Sequence, residues 1–359
     1  MRSEIEYIPA IMKLVHIYEE NCECRICRKE ERTYLKQAKA DTQLLQHSMA
    51  SPSSVVWTMY QKYVNHVPLY RQEKDWQNLG MEIKRSTLSN WIIKTSDEWL
   101  HKIAIRLHEE LLKDNYLHAD ETPIQVMNEE GKKNTAKSYM WVYTTSSHSS
   151  KQIRIFEYSS GRAGVNAADF LDGYNGYLHT DDYKGYGKIE GVTRCLCWSH
   201  ARRYFTDAIP KDIKSPEATL PTQGLAYCNK LFEIEEKLKN LSPEDRKEER
   251  LKLEKPVLET FGSWVDLNIN GVLAKSKIDQ ALQYVKNQQS SLMTYLENGN
   301  CEISNSLAEN SIRPFTVGRK NWLFAGSPKG ATASATVYTL GETAKANGLN
   351  LTTFTCCIT

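Results

Sequence analysis

Hydrophobic and polar positions along this chain follow two different periods. Apolar residues alternate with polar ones at Ile5 and Tyr7 and recur at Ile11, Leu14 and Val15, before a cysteine-rich, basic stretch. Over 51–115 the period becomes helical, with Val55, Val56, Met59, Tyr60 and Tyr63 on one face. A second helix is expected from about Leu69 to Leu79, ending at Gly80. A third starts from a cap at Ser86 and runs through "STLSNWIIKTSDEWLHKIAIRLHEELL". Helix, short glycine-containing turn, helix is the outline of a helix-turn-helix.

From Tyr116 the pattern turns to strands. "YLHADETPIQV", "SYMWVYTTS" and "KQIRIFEYS" are rich in Tyr, Val, Ile and Thr between polar turns. "GVNAADFLDG" reads as a short helix, and "GYLHTDDY" and "GVTRCLCWSH" as two further strands. Strands in succession, then alternating with helices, predict a mixed α/β sheet. Over 211–300 the helical period returns at Leu231, Ile234, Leu238 and Leu241, with caps predicted at Ser242 (followed by Pro243 and Asp245) and Ser276. The chain therefore divides into a cysteine-bearing region (1–50), a helical region (51–115), an α/β region (116–210), a helical insertion (211–300), a return to the α/β region (301–350) and a tail (351–359).

Composition narrows the class. With 359 residues, 40% hydrophobic and 25% charged, the chain reads as soluble and globular. A net charge of only +2 means that a nucleic-acid partner would be met by locally concentrated cations. No run of 18 apolar residues spans a membrane, and the glutamate-bearing N-terminus is not a signal peptide. Nine unevenly placed cysteines are not a disulfide framework; they suit a reducing cytoplasm with one metal cluster at most.

Three carboxylates stand out. Glu309 lies among Asn305, Asn310, Arg313, Arg319, Lys320, Asn321 and Trp322, while Asp120 and Asp181 each end a predicted strand, where α/β sheets bind ligands. Two strand-end acids and one helix acid can hold two magnesium ions about 4 Å apart, which would activate a water or 3′-hydroxyl against a phosphodiester. The alternative is that both aspartates are turn or cap residues. Glu121 and Asp182 pose a choice, since neighbours on a strand face opposite ways. Arg313 and Lys320 return to the side of Glu309, but Pro314 predicts a short helix through Arg313 and then a turn. Arg319 and Lys320 would lie beyond it on DNA phosphates, or form a solvated basic loop.

The blocks "HADETP", "TDDYKGY", "CWSHARRYF", "NSLAENSIRPFTVGRKNWLFAGS" and "GATASATVYTLGETAKANGLN" resemble, in this order and over nearly the whole chain, the insertion-sequence transposases of the IS sixty-six family. The resemblance implies a ribonuclease-H-like catalytic domain, interrupted by a helical insertion. Its Asp-Asp-Glu trio would be Asp120, Asp181 and Glu309, binding magnesium or manganese. The family shows Thr-Asp-Gly-Tyr at the second acid; here Asp182 takes the glycine place, which favours Asp181.

Cys197 and His200 are too few for a zinc site by themselves and are expected to order the active site; the alternative is a core cysteine and a capping histidine. Cys24 and Cys27 resemble one half of the family's four-cysteine zinc site, with Cys22 and His16 as further donors. In the helix-turn-helix, Lys84, Arg85, Ser86, Thr87, Asn90 and Lys94 lie where a recognition helix would meet DNA, with Trp91 as core. The alternative is a plain three-helix bundle.

After "KANGLN" the chain departs from the family into "LTTFTCCIT". That tail and the missing first cysteine pair predict a truncated or altered copy. The sequence thus predicts a cytoplasmic, nucleoid-associated bacterial DNA transposase, or else an inactive remnant that only binds DNA. Its partners would be the element's terminal repeats and target DNA, a second copy of itself on that DNA, and accessory proteins of the same element.

Overall fold

The computed structural model describes residues 2–6, 11–30, 34–38, 42–210 and 219–350. Expectations resting on Tyr7, on 211–218 and on the tail with Cys356 and Cys357 lie outside these residues. Near the N-terminus, β1 (Asn21–Glu23) pairs antiparallel with β2 (Leu35–Gln37), with α1 (Arg25–Lys29) between them. Ile11, Leu14 and Val15 are exposed and outside any strand.

Helix α2 (Pro52–Tyr63) buries Val55, Val56, Met59 and Tyr63, the face its period predicts. Helix α3 (Leu69–Asn78) ends at Leu79, and Gly80 turns the chain with φ +87°, a conformation that favours glycine. Helix α4 (Arg85–Thr95) is capped at Lys84, one correction to the sequence reading. Ser86 lies inside the first turn because the Glu73 carboxylate on α3 already accepts the Arg85 N–H, at 3.0 Å. A π-type turn (Ser96–Leu100) leads directly into α5 (His101–Leu111).

A six-stranded mixed sheet follows. Its strands are β3 (Tyr116–Val126), β4 (Lys137–Thr145), β5 (Arg154–Ser159), β6 (Gly176–Thr180), β7 (Val192–Leu196) and β8 (Phe324–Ala325). Their order is β5-β4-β3-β6-β7, with the first three antiparallel and β6 and β7 parallel to β3. The short α6 (Gly164–Phe170) separates β5 from β6, as predicted. The strand β8, which sequence reasoning missed, pairs parallel with β3 at Gln125 and Val126. Along one edge β3 therefore meets β6 over Tyr116–His118 and β8 over Gln125–Val126, and the stretch between is open.

After β7 come α7 (Trp198–Ala208), α8 (Leu220–Leu238), α9 (Pro243–Leu253), α10 (Lys255–Asn268) and α11 (Lys277–Met293). Ser242 and Ser276 cap α9 and α11 by accepting the Asp245 and Asp279 N–H groups, as their sequence predicts. Their core, built on Trp198, Phe205, Leu231, Phe261 and Leu282, continues from Cys195 and Leu196 of β7, so the insertion grows out of the sheet's edge.

The chain then returns as α12 (Ser306–Trp322) and α13 (Pro328–Ala346). The turn expected after Arg313 does not form. Helix α12 runs through Pro314, because Ala308, Ile312 and Phe315 bury one continuous stripe against Ile124 and Val126 of β3. Helix α13 covers the edge strand β5. Thr339 and Thr343, four residues apart, accept the Phe156 and Arg154 N–H groups at 2.9 and 3.0 Å, which satisfies donors a neighbouring strand would otherwise take.

Candidate functional site

Alternation along β3 decides which side chains face α12. His118, Thr122, Ile124 and Val126 meet that helix or its core, whereas Leu117 and Ala119 pack on the opposite side. Asp120 belongs to the first set. It lies in the interior of β3 rather than at a strand end, because β3 continues along β4 to Gln125. It does stand two residues beyond the last pairing with β6, at the start of the open stretch. Asp181 follows directly on the end of β6, as predicted. The register pairs Leu117 with Leu178 and His118 with His179, so "LHAD" and "LHTD" run side by side and deliver the two aspartates to one edge.

Helix α12 is fastened to that open stretch at both ends. Asn305, its N-cap, donates from Nδ2 to the Ala119 carbonyl at 2.8 Å, pairs through Oδ1 with His118 Nδ1 at 3.0 Å, and donates its N–H to Cys197 Sγ at 3.1 Å. At the far end Arg319 donates to Thr122 Oγ1 at 3.0 Å and to the Pro123 carbonyl. Arg319, expected on a DNA phosphate, thus serves β3 backbone left unpaired between β6 and β8. Glu309 lies one turn into the helix, its N–H bonded to the Asn305 carbonyl. Its Oε1 is 4.0 Å from His200 Nδ1, and both atoms are buried without a hydrogen-bond partner.

The carboxylates repel one another. Burial pushes Asp120 up to about 8, and neighbouring Glu121, Asp181 and Glu309 add to the rise. Glu121 is committed elsewhere: Tyr186 Oη donates to it at 2.6 Å, and Arg162 forms an ion pair with it at 2.5 Å. Asp182 faces Arg194 at 3.9 Å. Asp181 accepts the Tyr183 N–H at 2.9 Å and stands 4.0 Å from Arg162. Carboxylate oxygens of Asp120, Asp181 and Glu309 near one another fit hard divalent cations such as magnesium.

The remaining predicted residues lie apart from this cluster. Lys84, Arg85, Asn90 and Lys94 are exposed on α4, Thr87 is half-buried, and Trp91 is core, as expected. Arg313 and Lys320 are exposed on α12. Cys24, the N-cap of α1, and Cys27 within that helix are half-buried. Among the described residues, the group of three donors that converges tightly is Cys197, His200 and Glu309, with ligand atoms within 4.8 Å of one another. Sequence reasoning missed the support behind the acids: the buried His118 and His179, the half-buried Glu302 and the Arg162–Glu121 pair. The repeated Leu-His-x-Asp could have signalled the histidines.

Among the described residues no helix is long and apolar enough to cross a membrane. The sequence matches the family described as "Transposase IS66 family" over residues 47–333. Three relatives are uncharacterized proteins of Sinorhizobium fredii. The protein y4qI is 27% identical over 88% of this chain and 60% of its own length. For y4hP the figures are 24%, 96% and 64%, and for y4jD 26%, 96% and 68%. The chain thus spans less than two-thirds of the length of the first two.

Proposed function

The chain belongs to the IS66 transposase family, and from that premise we propose that it is a DNA transposase whose chemistry is carried by Asp120, Asp181 and Glu309. The observation that carries the reading is convergence. Three acids from distant segments come to one sheet edge: β3 and β6 run in register up to Asp120 and Asp181, and the Asn305 cap of the Glu309 helix bonds the Ala119 carbonyl next to Asp120. The strand order, with three antiparallel strands followed by two parallel to the first, supports reading the sheet as a ribonuclease-H-like core.

Bound magnesium or manganese would supply an activated water or 3′-hydroxyl and neutralise charge building on the phosphodiester. The protein's own part is to hold the oxygens in place. Asp120 is fixed by β3, Asp181 by the Tyr183 N–H, and Glu309 by the Asn305 cap. A divalent cation held there would favour the Asp120 carboxylate, offsetting the burial and the neighbouring negative charges that raise it. Exposed Arg313 and Lys320 would hold phosphates beside the acids, and Lys84, Arg85, Thr87, Asn90 and Lys94 would recognise the element's ends. Hydrolysis at those ends would leave 3′-hydroxyls that attack target DNA, with two copies of the chain acting on paired ends.

The test is a labelled duplex carrying the element's own end, incubated with target DNA in magnesium or manganese, using wild type and Asp120→Asn. Cuts that leave 3′-hydroxyls, followed by joining, and lost in the variant, support the reading. Binding without cleavage by wild type would make the chain a DNA-binding protein only; cleavage without joining would make it a nuclease.

A further inference from the structure

The corner where β7 enters α7 holds a donor set unlike the all-oxygen trio. We propose that Cys197, His200 and Glu309 bind a borderline-soft divalent cation, zinc, that pins the Glu309 helix to this corner. Their donor atoms lie within 4.8 Å of one another. Cys197 caps α7 and His200 follows three residues later, so both project from the same side of its first turn. His200 Nδ1 and Glu309 Oε1 face each other at 4.0 Å, too far for a hydrogen bond, and both are buried and unpartnered. Tetrahedral zinc would draw the nitrogen and oxygen donors to about 3.3 Å apart and the sulfur to about 3.5 Å from either, so the three side chains would close around the ion by about 1 Å. The sulfur already accepts the Asn305 N–H at 3.1 Å, which fixes its position at this corner. Thiolate, imidazole and carboxylate with a fourth position open is a donor set that zinc accepts and magnesium does not.

The site stands on these donors alone. Its consequence for catalysis rests on the proposed function: Oε1 of Glu309 would face zinc and leave Oε2 for the acids of the trio.

The test uses the full chain with Cys22→Ser, Cys24→Ser and Cys27→Ser, so that the N-terminal thiols cannot contribute. The protein is dialysed against zinc and the bound metal measured; a parallel sample takes cobalt(II) and is read by absorption. One retained zinc per chain and a thiolate-to-cobalt charge-transfer band are expected. Cys197→Ser should abolish the band, and His200→Gln should weaken zinc binding at least about tenfold. His200 is partly exposed, so that variant keeps the test open if Cys197→Ser fails to fold. No zinc in the parent, or unchanged binding in a folded variant, overturns the site. Neither readout involves DNA, so a missing zinc site would leave the transposase reading standing, and an absence of cleavage would leave the zinc site standing.

Discussion

His118 on β3 and His179 on β6 stack with ring centroids 5.0 Å apart and planes 7° from parallel. Glu302, in the segment leading to α12, serves both rings: its carbonyl bonds His179 Nε2 at 2.8 Å, and its carboxylate lies 3.9 Å from His118 Nε2. The stack therefore locks the two strands and the approach to the Glu309 helix together directly behind Asp120 and Asp181. Burial pushes both imidazoles below their ordinary value of 6.5. Below that value the unfolded chain takes up protons that the fold refuses, so this contribution is complete above pH 6.5 and lost as pH falls. That contribution should shrink between pH 7 and 5, read in urea unfolding as the difference between wild type and His179→Gln across that range.

Asp120 titrates with the opposite sign. Its folded value of about 8 lies far above the ordinary 3.8, so the fold holds a proton that the unfolded chain releases. Without divalent ions, the contribution of Asp120 to stability should fall as pH rises from about 4 to 8. Glu157 and Glu254 are raised by burial too, so the comparison must be with Asp120→Asn, whose slope should be shallower. Magnesium should flatten the wild-type slope and leave that of the variant unchanged. Melts at pH 5 and 8, with and without magnesium, check both statements.

Asn305 joins three segments with one side chain and one N–H. Asn305→Ala should cost about 1–3 kcal/mol, because it leaves the Ala119 carbonyl and a buried imidazole nitrogen unpaired. Cleavage should fall together with stability although all three acids remain. Chemical denaturation and cleavage on the same preparations test this; unchanged cleavage would show that Glu309 is placed by other interactions.

The exposed cations should act through salt dependence. Removing one cation that neutralises a phosphate should lower the slope of log affinity against log salt by about 0.9. Arg313→Ala and Lys320→Ala should each do so for any duplex. Arg85→Ala and Asn90→Ala should reduce the preference for the element's end over random DNA. Fluorescence anisotropy at several salt concentrations separates the two behaviours.

Much of this arrangement was legible in the sequence. Periodicity located α2 to α5, the succession of strands, and the serine caps of α9 and α11, because each depends on local spacing. The three acids were legible as isolated blocks, and the resemblance grouped them. Errors arose where tertiary packing overrode local signals. Helix α4 begins one residue before Ser86, with Glu73 of α3 accepting the Arg85 N–H. Burial of Ile312 and Phe315 carried α12 through Pro314. The role of Arg319 was unreadable, since it depends on a gap in the pairing of β3 that opens only once β6 and β8 are both in place. Cys197 and His200 were recognised as a pair, but their third companion lies more than a hundred residues away, brought back by α12.

The most direct measurement is the anomalous signal from crystals grown with manganese. The account predicts manganese peaks in contact with the carboxylates of Asp120, Asp181 and Glu309 in the wild type, absent from Asp120→Asn crystals of the same form. Manganese bound away from these acids, or a wild-type cluster that stays empty at saturating metal, would contradict the claim that they form the catalytic centre.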